Sequence, residues 1–183
     1  MIPAEICVRP MQVEDIPEVH AIDVLSFSLP WSERSYRFEV TENTASSPWV
    51  AEAHFTDGSR RIVGMMVNWI ILDEVHIATI AVHPDYRRMG IARLLLDKGL
   101  REAFERGARM AFLEVRRSNT AAQKLYESFG FRVEGVRPKY YQDNQEDALL
   151  MTLNPLDETT LQHLADPSEQ NSTGGERCNP IKS

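Results

Sequence analysis

From Glu74 to Val115 the chain reads as strand, helix and strand, and this run constrains the fold more than any other part of the sequence. Glu74 to Val82 has a strand pattern and stops at His83-Pro84-Asp85, because proline cannot extend a ladder. Ala92, Leu96, Leu100, Ala103 and Phe104 recur at helical spacing between Gly90 and Arg106, with Gly107 where a C-terminal cap belongs. Met110 to Val115 is short and almost wholly apolar, the pattern of a strand covered on both faces. Two such strands joined through a helix predict a parallel pair.

The flanking segments supply the rest of an α/β domain. Ile6 to Pro10 predicts a first strand, and Val13 to Phe27 a helix with Ile16, Val19, Ile22 and Leu25 on its apolar face. Pro30-Trp31-Ser32 ends that helix, and Ser32 caps a second running to about Val40. Pro48 to His54 and Arg61 to Leu72 predict an antiparallel pair around the turn Thr56-Asp57-Gly58-Ser59. Ser118-Asn119 caps a helix with Ala122, Leu125, Tyr126 and Phe129 on one face, closed by Gly130. Phe131 to Val136 and Asp147 to Leu153 complete a mixed sheet with helices on its faces.

A chain of 183 residues suits one domain, expected over residues 1–156. Residues 157–183 form a polar tail: a short helix is expected from beyond Leu156 to Ala165, but Asp166-Pro167-Ser168 and Asn171 to Gly175 are too polar to bury themselves, so the tail is expected to be largely disordered. The longest apolar-looking stretch, Ile62 to Leu72, contains Gly64 and Asn68 and falls short of the ~20 residues that cross a bilayer. With no leader pattern at Met1 to Glu5, the expected location is cytoplasmic. A net charge of -7 argues against a phosphate-gripping nucleic-acid binder and suits a basic partner. Cys7 and Cys178 are too few for a disulfide framework, so reduced thiols are expected. His76 and His83 lack companions at metal-ligand spacing and are read as structural, with no metal expected.

The chemistry concentrates in Ile80 to Arg93, where a strand turns directly into the longest helix. A helix N-terminus offers N–H groups and the positive end of its dipole to a phosphate, and Gly90 permits close approach. Arg87, Arg88 and Arg93 add charge; a plain capped helix with solvated arginines is the competing explanation. R-x-x-G-x-A at Arg87 to Ala92 resembles the acetyl-CoA signature Q/R-x-x-G-x-G/A of the GNAT acetyltransferases, Ala92 being an accepted variant. Pro30-Trp31-Ser32, Leu72-Asp73-Glu74, Leu113-Glu114-Val115-Arg116, Ser118-Asn119, Leu125-Tyr126-Glu127-Ser128 and Glu146-Asp147-Ala148 occur in order and resemble the RimI branch of that family. The resemblance covers about Ile6 to Leu153. It implies a mostly antiparallel sheet of roughly seven strands with a central parallel pair and about four helices.

The resemblance also implies roles. Glu114 would accept the proton that a peptide α-amine, with a pKa of about 7.7 to 8.0, must lose before it attacks a thioester. Tyr126 would protonate the departing thiolate; packing on its helix face is the alternative. The backbone of Ile80, Ala81 and Val82 would hold the pantetheine arm and polarise the acetyl carbonyl. Arg87, Arg88, Met89, Gly90, Ile91, Ala92 and Arg93 would cradle the pyrophosphate, and Asn119 would touch CoA or simply cap its helix. Trp31, Glu74, Tyr140 and Tyr141 would wall an acceptor groove, each with a plain packing or solvated alternative.

The activity implied is acetyl transfer from acetyl-CoA to a protein N-terminus, the N-terminal alanine of a small-subunit ribosomal protein, by direct attack without a cysteine nucleophile. The resemblance implies a monomer. A broader N-terminal, lysine or small-molecule acetyltransferase remains open, because one scaffold serves many acceptors. A non-catalytic acetyl-CoA sensor is the reading from another class, disfavoured because such a module need not keep both Glu114 and Tyr126.

Overall fold

The computed structural model describes residues 2–164 and 178–180. Its elements are β1 (Glu5–Pro10), α1 (Ile16–Ser26), α2 (Glu33–Thr41), β2 (Ser46–His54), β3 (Arg60–Ile71), β4 (Glu74–Val82), α3 (Ile91–Glu105), β5 (Met110–Arg116), α4 (Thr120–Ser128), β6 (Arg132–Tyr141), β7 (Glu146–Leu153), α5 (Glu158–Leu164) and β8 (Cys178–Pro180). Hydrogen-bonded neighbours follow the order β6-β7-β5-β4-β3-β2-β1-β8. β4 and β5 are the expected parallel pair, with Glu74 opposite Met110 and Ile77 opposite Leu113. None of the helices described is long and apolar enough to cross a membrane.

The chain divides into two units, one of Met1–Asn68, Thr79–Gly99 and Ser172–Ser183, the other of Trp69–Ala78 and Leu100–Asn171. In the first unit, β1 runs antiparallel to β2, Ile6 opposite Ala53. Val50, Ala51, Val63, Met65 and Val67 are fully buried, as are Ile16 and Val19 of α1. Two glycines seat the first half of α3 on β3: a Cβ on Gly64 would meet Ile91 Cγ2 at 2.9 Å, and one on Gly99 would collide with Met66 and Asn68. Close packing of this kind fixes where the helix begins.

The first unit departs from the sequence reading in two places. A short 3-10 turn at Val13–Asp15 precedes α1, whose buried face is Ile16, Val19, Ile22 and Asp23, while Leu25 is exposed. The Asp23 carboxylate explains the rotation: it accepts a 2.6 Å bond from the Trp31 N–H. A buried carboxylate satisfied in this way can displace a leucine from the inner face. Cys7 is disulfide-bonded, where reduced thiols were expected, and the β1–β8 register sets residue 178 opposite it. β8 falls within the segment read as a polar tail; residues 165–177 and 181–183 lie outside the described residues.

In the second unit, β5 lies against β7 antiparallel, Glu114 opposite Leu150, and β7 against β6. Ala111, Leu113 and Val115 are buried, as are Phe129, Phe131, Met151 and Leu153. β5 was expected to be covered on both faces, yet its other residues, Met110, Phe112, Glu114 and Arg116, are only half-buried. β5 therefore presents one open face, and Glu114 stands on it. β6 continues to Tyr141, past the expected end at Val136, through an irregular register between Arg137 and Tyr141.

Candidate active site

In the first unit, the turn between β4 and α3 is built to leave backbone exposed. The His83 N–H bonds the Val63 carbonyl at 2.9 Å, and a 3-10 turn at Pro84–Tyr86 follows. Tyr86 is buried, its ring edge-on to His83 at 5.6 Å, and the His83 ring accepts from the Asp85 N–H at 3.3 Å. These bonds give His83 the structural role expected of it. Arg88 and Gly90 then take left-handed backbone, with φ of 65° and 80°. Gly90 meets a backbone demand, not a packing one: a Cβ there would find nothing within 4 Å.

The Leu94 N–H bonds the Gly90 carbonyl at 3.1 Å, so α3 starts with the N–H groups of Ile91 and Ala92 ahead of any helical acceptor. The first turn of α3 holds no acidic residue, and Arg88 and Arg93 are exposed around it. An anion suits this position. Arg87 is placed differently from the expectation of a direct phosphate contact: its Nε donates to the Val82 carbonyl at 3.2 Å and its Nη2 reaches Ser26 Oγ at 3.4 Å, which ties the turn down. Ile80 and Val82 are half-buried and Ala81 is buried in β4; Met89 is half-buried in the turn. Trp31, also of this unit, is half-buried with its ring 5.5 Å from that of Tyr36.

In the second unit, Glu114, Tyr140 and Tyr141 come together with two arginines that the sequence reading did not single out. Arg137 Nη1 lies 2.6 Å from Glu114 Oε1, and its guanidinium sits 5.5 Å from the centre of the Tyr140 ring. Interaction with the Glu114 carboxylate, more than burial, raises the pKa of the Tyr140 phenol. Tyr140 and Tyr141 meet edge to face at 5.3 Å. Arg116 lies 3.8 Å over the Tyr141 ring while pairing with Asp143 at 2.9 Å and Glu146 at 3.4 Å. Burial pushes the Tyr141 phenol up to about 12.

Glu146 organises the β6–β7 turn. Its Oε1 accepts from the Ser118 N–H at 2.6 Å, and bonds from Ser118, then Asn144 and Arg116, hold its carboxyl down at about 2. Tyr126 is buried on α4, 6.0 Å from the Phe131 ring, and desolvation raises its phenol above the ordinary range. It is thus the neutral phenol at any physiological pH. Asn119 caps α4, its Oδ1 accepting from the Ala122 N–H at 3.1 Å. Glu74 pairs with His76 at 2.8 Å, and His76 stacks on Phe112 at 5.2 Å, a structural use of that histidine.

Among the described residues, Glu5, Cys7 and His54 bring potential metal-ligand atoms within 4.8 Å of one another, on β1 and β2. The sulfur of Cys7 is already committed to a disulfide.

The Acetyltransferase (GNAT) family model matches residues 16–131. A putative ribosomal protein bS18-alanine N-acetyltransferase of Bacillus subtilis (strain 168) is 40% identical over 144 residues, spanning 79% of this chain and 92% of that protein. The ribosomal protein bS18-alanine N-acetyltransferase of Escherichia coli (strain K12) is 32% identical over 154 residues, 78% of this chain and 93% of its own length. The crystal structure of the ribosomal-protein-S18-alanine N-acetyltransferase from Escherichia coli superposes with a TM-score of 0.71 at 32% identity, covering 82% of this chain and 94% of that one.

Proposed function

Since the chain belongs to the GNAT acetyltransferase family, we propose that it transfers the acetyl group of acetyl-CoA to the α-amine of a protein N-terminus, the N-terminal alanine of ribosomal protein bS18. The observation that carries this reading is Glu114, a carboxylate that stands on the open face of β5 with Arg137 and Tyr140 beside it. An acceptor ammonium needs such a group to take its proton. The relatives named for this acceptor match nearly along their whole length, which supports the substrate as well as the reaction.

The turn into α3 fits the diphosphate of CoA: left-handed backbone at Arg88 and Gly90, open space over Gly90, and first-turn N–H groups without an acid nearby. Arg88 and Arg93 add positive charge to that turn, and Arg87 holds its shape. Acetyl-CoA supplies the electrophile, a thioester. The backbone of Ile80, Ala81 and Val82 holds the pantetheine arm as an added strand would be held. Asn119 contributes a further CoA contact.

Glu114 takes a proton from the α-ammonium, directly or through water, and frees the nitrogen lone pair for attack. The new N–C bond forms, the C–S bond breaks, and Tyr126 gives its phenolic proton to the departing thiolate. The nitrogen sheds a second proton; of the two it loses, one restores the Tyr126 phenol and the other leaves Glu114 or the nitrogen for solvent, so the products are the N-acetyl peptide, CoA thiol and one proton. Trp31 in the first unit, and Glu74, Tyr140 and Tyr141 in the second, are each taken as a contact of the acceptor peptide. Residues 1–156 make up the catalytic domain, and the segment 157–183 adds β8 beside β1; the enzyme works as a monomer in the cytoplasm, on protein and not on nucleic acid.

The test is CoA thiol release with acetyl-CoA and two peptides, one beginning Ala-Arg, the other N-terminally blocked with an internal lysine. Turnover on the free N-terminus alone supports the proposal. Turnover on the lysine peptide points instead to a lysine acetyltransferase, and acetyl-CoA binding without turnover on either peptide points to another acceptor or to a sensor.

A further inference from the structure

Glu114 is already engaged by a cation. Arg137 Nη1 stands 2.6 Å from Oε1, and the arginine side chain remains 54% exposed against 29% for the glutamate. The backbone around Arg137 is irregular in a way that favours this contact. The β6–β7 register jumps between Arg137, opposite Ala148, and Tyr141, opposite Glu146. Lys139, between them, is left-handed with φ of 53°. Its N–H bonds Asp147 Oδ1 at 3.0 Å, and Asp147 pairs with Arg117 at 3.2 Å, so the irregularity is pinned from both sides. A bulge of this type breaks strand alternation and re-aims side chains. Here it turns both Arg137 and Tyr140 to the same carboxylate.

We propose that Arg137 is a displaceable counter-ion on Glu114, occupying the place that the acceptor's α-ammonium takes, and is thereby a specificity-determining residue. The inference rests on Glu114 being the group that receives the acceptor's proton. Guanidinium and ammonium seek the same oxygen, and two like charges at that distance repel. Because Arg137 is largely solvated, its ion pair is weak enough to exchange. The Tyr140 ring offers the displaced guanidinium a surface to slide along. Arg116, the other arginine on this open face, is tied to Asp143 and Glu146 and does not compete. An acceptor therefore gains Glu114 only when its ammonium, together with its other contacts, outbids the resident arginine.

The experiment uses the full chain saturated with acetyl-CoA and the peptide beginning Ala-Arg, with kcat and KM measured separately. Arg137→Gln is expected to lower peptide KM by about two- to fivefold, the range that loss of an exposed ion pair allows, with kcat changed by less than about twofold. Arg137→Lys should fall between wild type and the glutamine variant. Arg132→Gln removes an equal charge from the start of β6 and should leave KM unchanged. In a Glu114→Gln background, Arg137→Gln should no longer alter the peptide Kd measured by titration calorimetry in the presence of CoA.

A raised KM or a reduced kcat in Arg137→Gln overturns the proposal, since Arg137 would then hold Glu114 in its working position or grip the peptide. An equal fall in KM for Arg132→Gln also overturns it, leaving only a general field effect. Wild-type turnover in Glu114→Gln is a different failure: it removes the assignment of Glu114 itself. Should Arg137→Gln fold poorly, the lysine variant and the peptide titration still decide the question.

Discussion

Glu114 and Arg137 form a 2.6 Å ion pair although β7 lies between their strands. Glu114 is opposite Leu150, and Arg137 is opposite Ala148, whose methyl group leaves room on the open face for the longer side chain to lean across. A base so placed is dispensable to the fold, because it stands on the half-buried face of β5 and not in the core. Glu114→Gln is therefore expected to lower kcat by about 10²- to 10⁴-fold, the usual contribution of a general base, with acetyl-CoA affinity retained. Thiol release and calorimetric titration of acetyl-CoA measure the two quantities; unchanged turnover would remove the base assignment.

Tyr126→Phe separates packing from chemistry. The ring stays, so the contact with Phe131 and the burial on α4 survive. The expected result is a thermal midpoint close to wild type and a kcat lower by about tenfold or more. Equal activity in the two proteins would leave Tyr126 as a packing residue only.

Gly90→Ala places a Cβ in open space but on left-handed backbone with φ of 80°. The strain should lower stability by about 1–2 kcal/mol or shift the turn, and a shifted turn raises the KM for acetyl-CoA while leaving the peptide KM near wild type. Thermal unfolding together with the two KM values checks this. An unchanged acetyl-CoA KM would argue against the turn as the diphosphate site.

Glu146 links the acid limb of stability to the β6–β7 turn. Its carboxyl is depressed from 4.5 to about 2 in the folded chain, chiefly by its bonds from Ser118. A depressed acid contributes stability that is fully present above pH 4.5 and is lost as the pH falls from 4.5 through about 2. Glu146→Gln should flatten the pH dependence of unfolding within that window and leave the slope above it unaltered. Denaturant titrations at several acidic pH values report it.

Much of this arrangement is legible in the chain. The strand, helix and strand from Glu74 to Val115 show in periodicity alone, and Gly90 is conspicuous because a glycine at the head of the longest helix has a backbone reason to be there. Glu114 and Tyr126 needed their motif context, since a strand-end acid and a helical tyrosine look ordinary. Arg137 was missed for a physical reason: its contact depends on the irregular register around left-handed Lys139, and nothing in the side-chain order announces that. Periodicity places Leu25 in the core of α1 because it counts apolar residues, whereas Asp23 is drawn inward by its bond from the Trp31 N–H. The open face of β5 escaped notice likewise, as Phe112 is apolar but stacks on His76 at a half-buried position.

The most direct measurement is to incubate the protein with acetyl-CoA and unacetylated ribosomal protein bS18, and to locate the modification by tandem mass spectrometry. Acetylation confined to the N-terminal alanine, and abolished by Glu114→Gln, is the expected result. An acetyl group on lysine side chains, or an unmodified bS18 from a preparation that still binds acetyl-CoA, would contradict the proposed function.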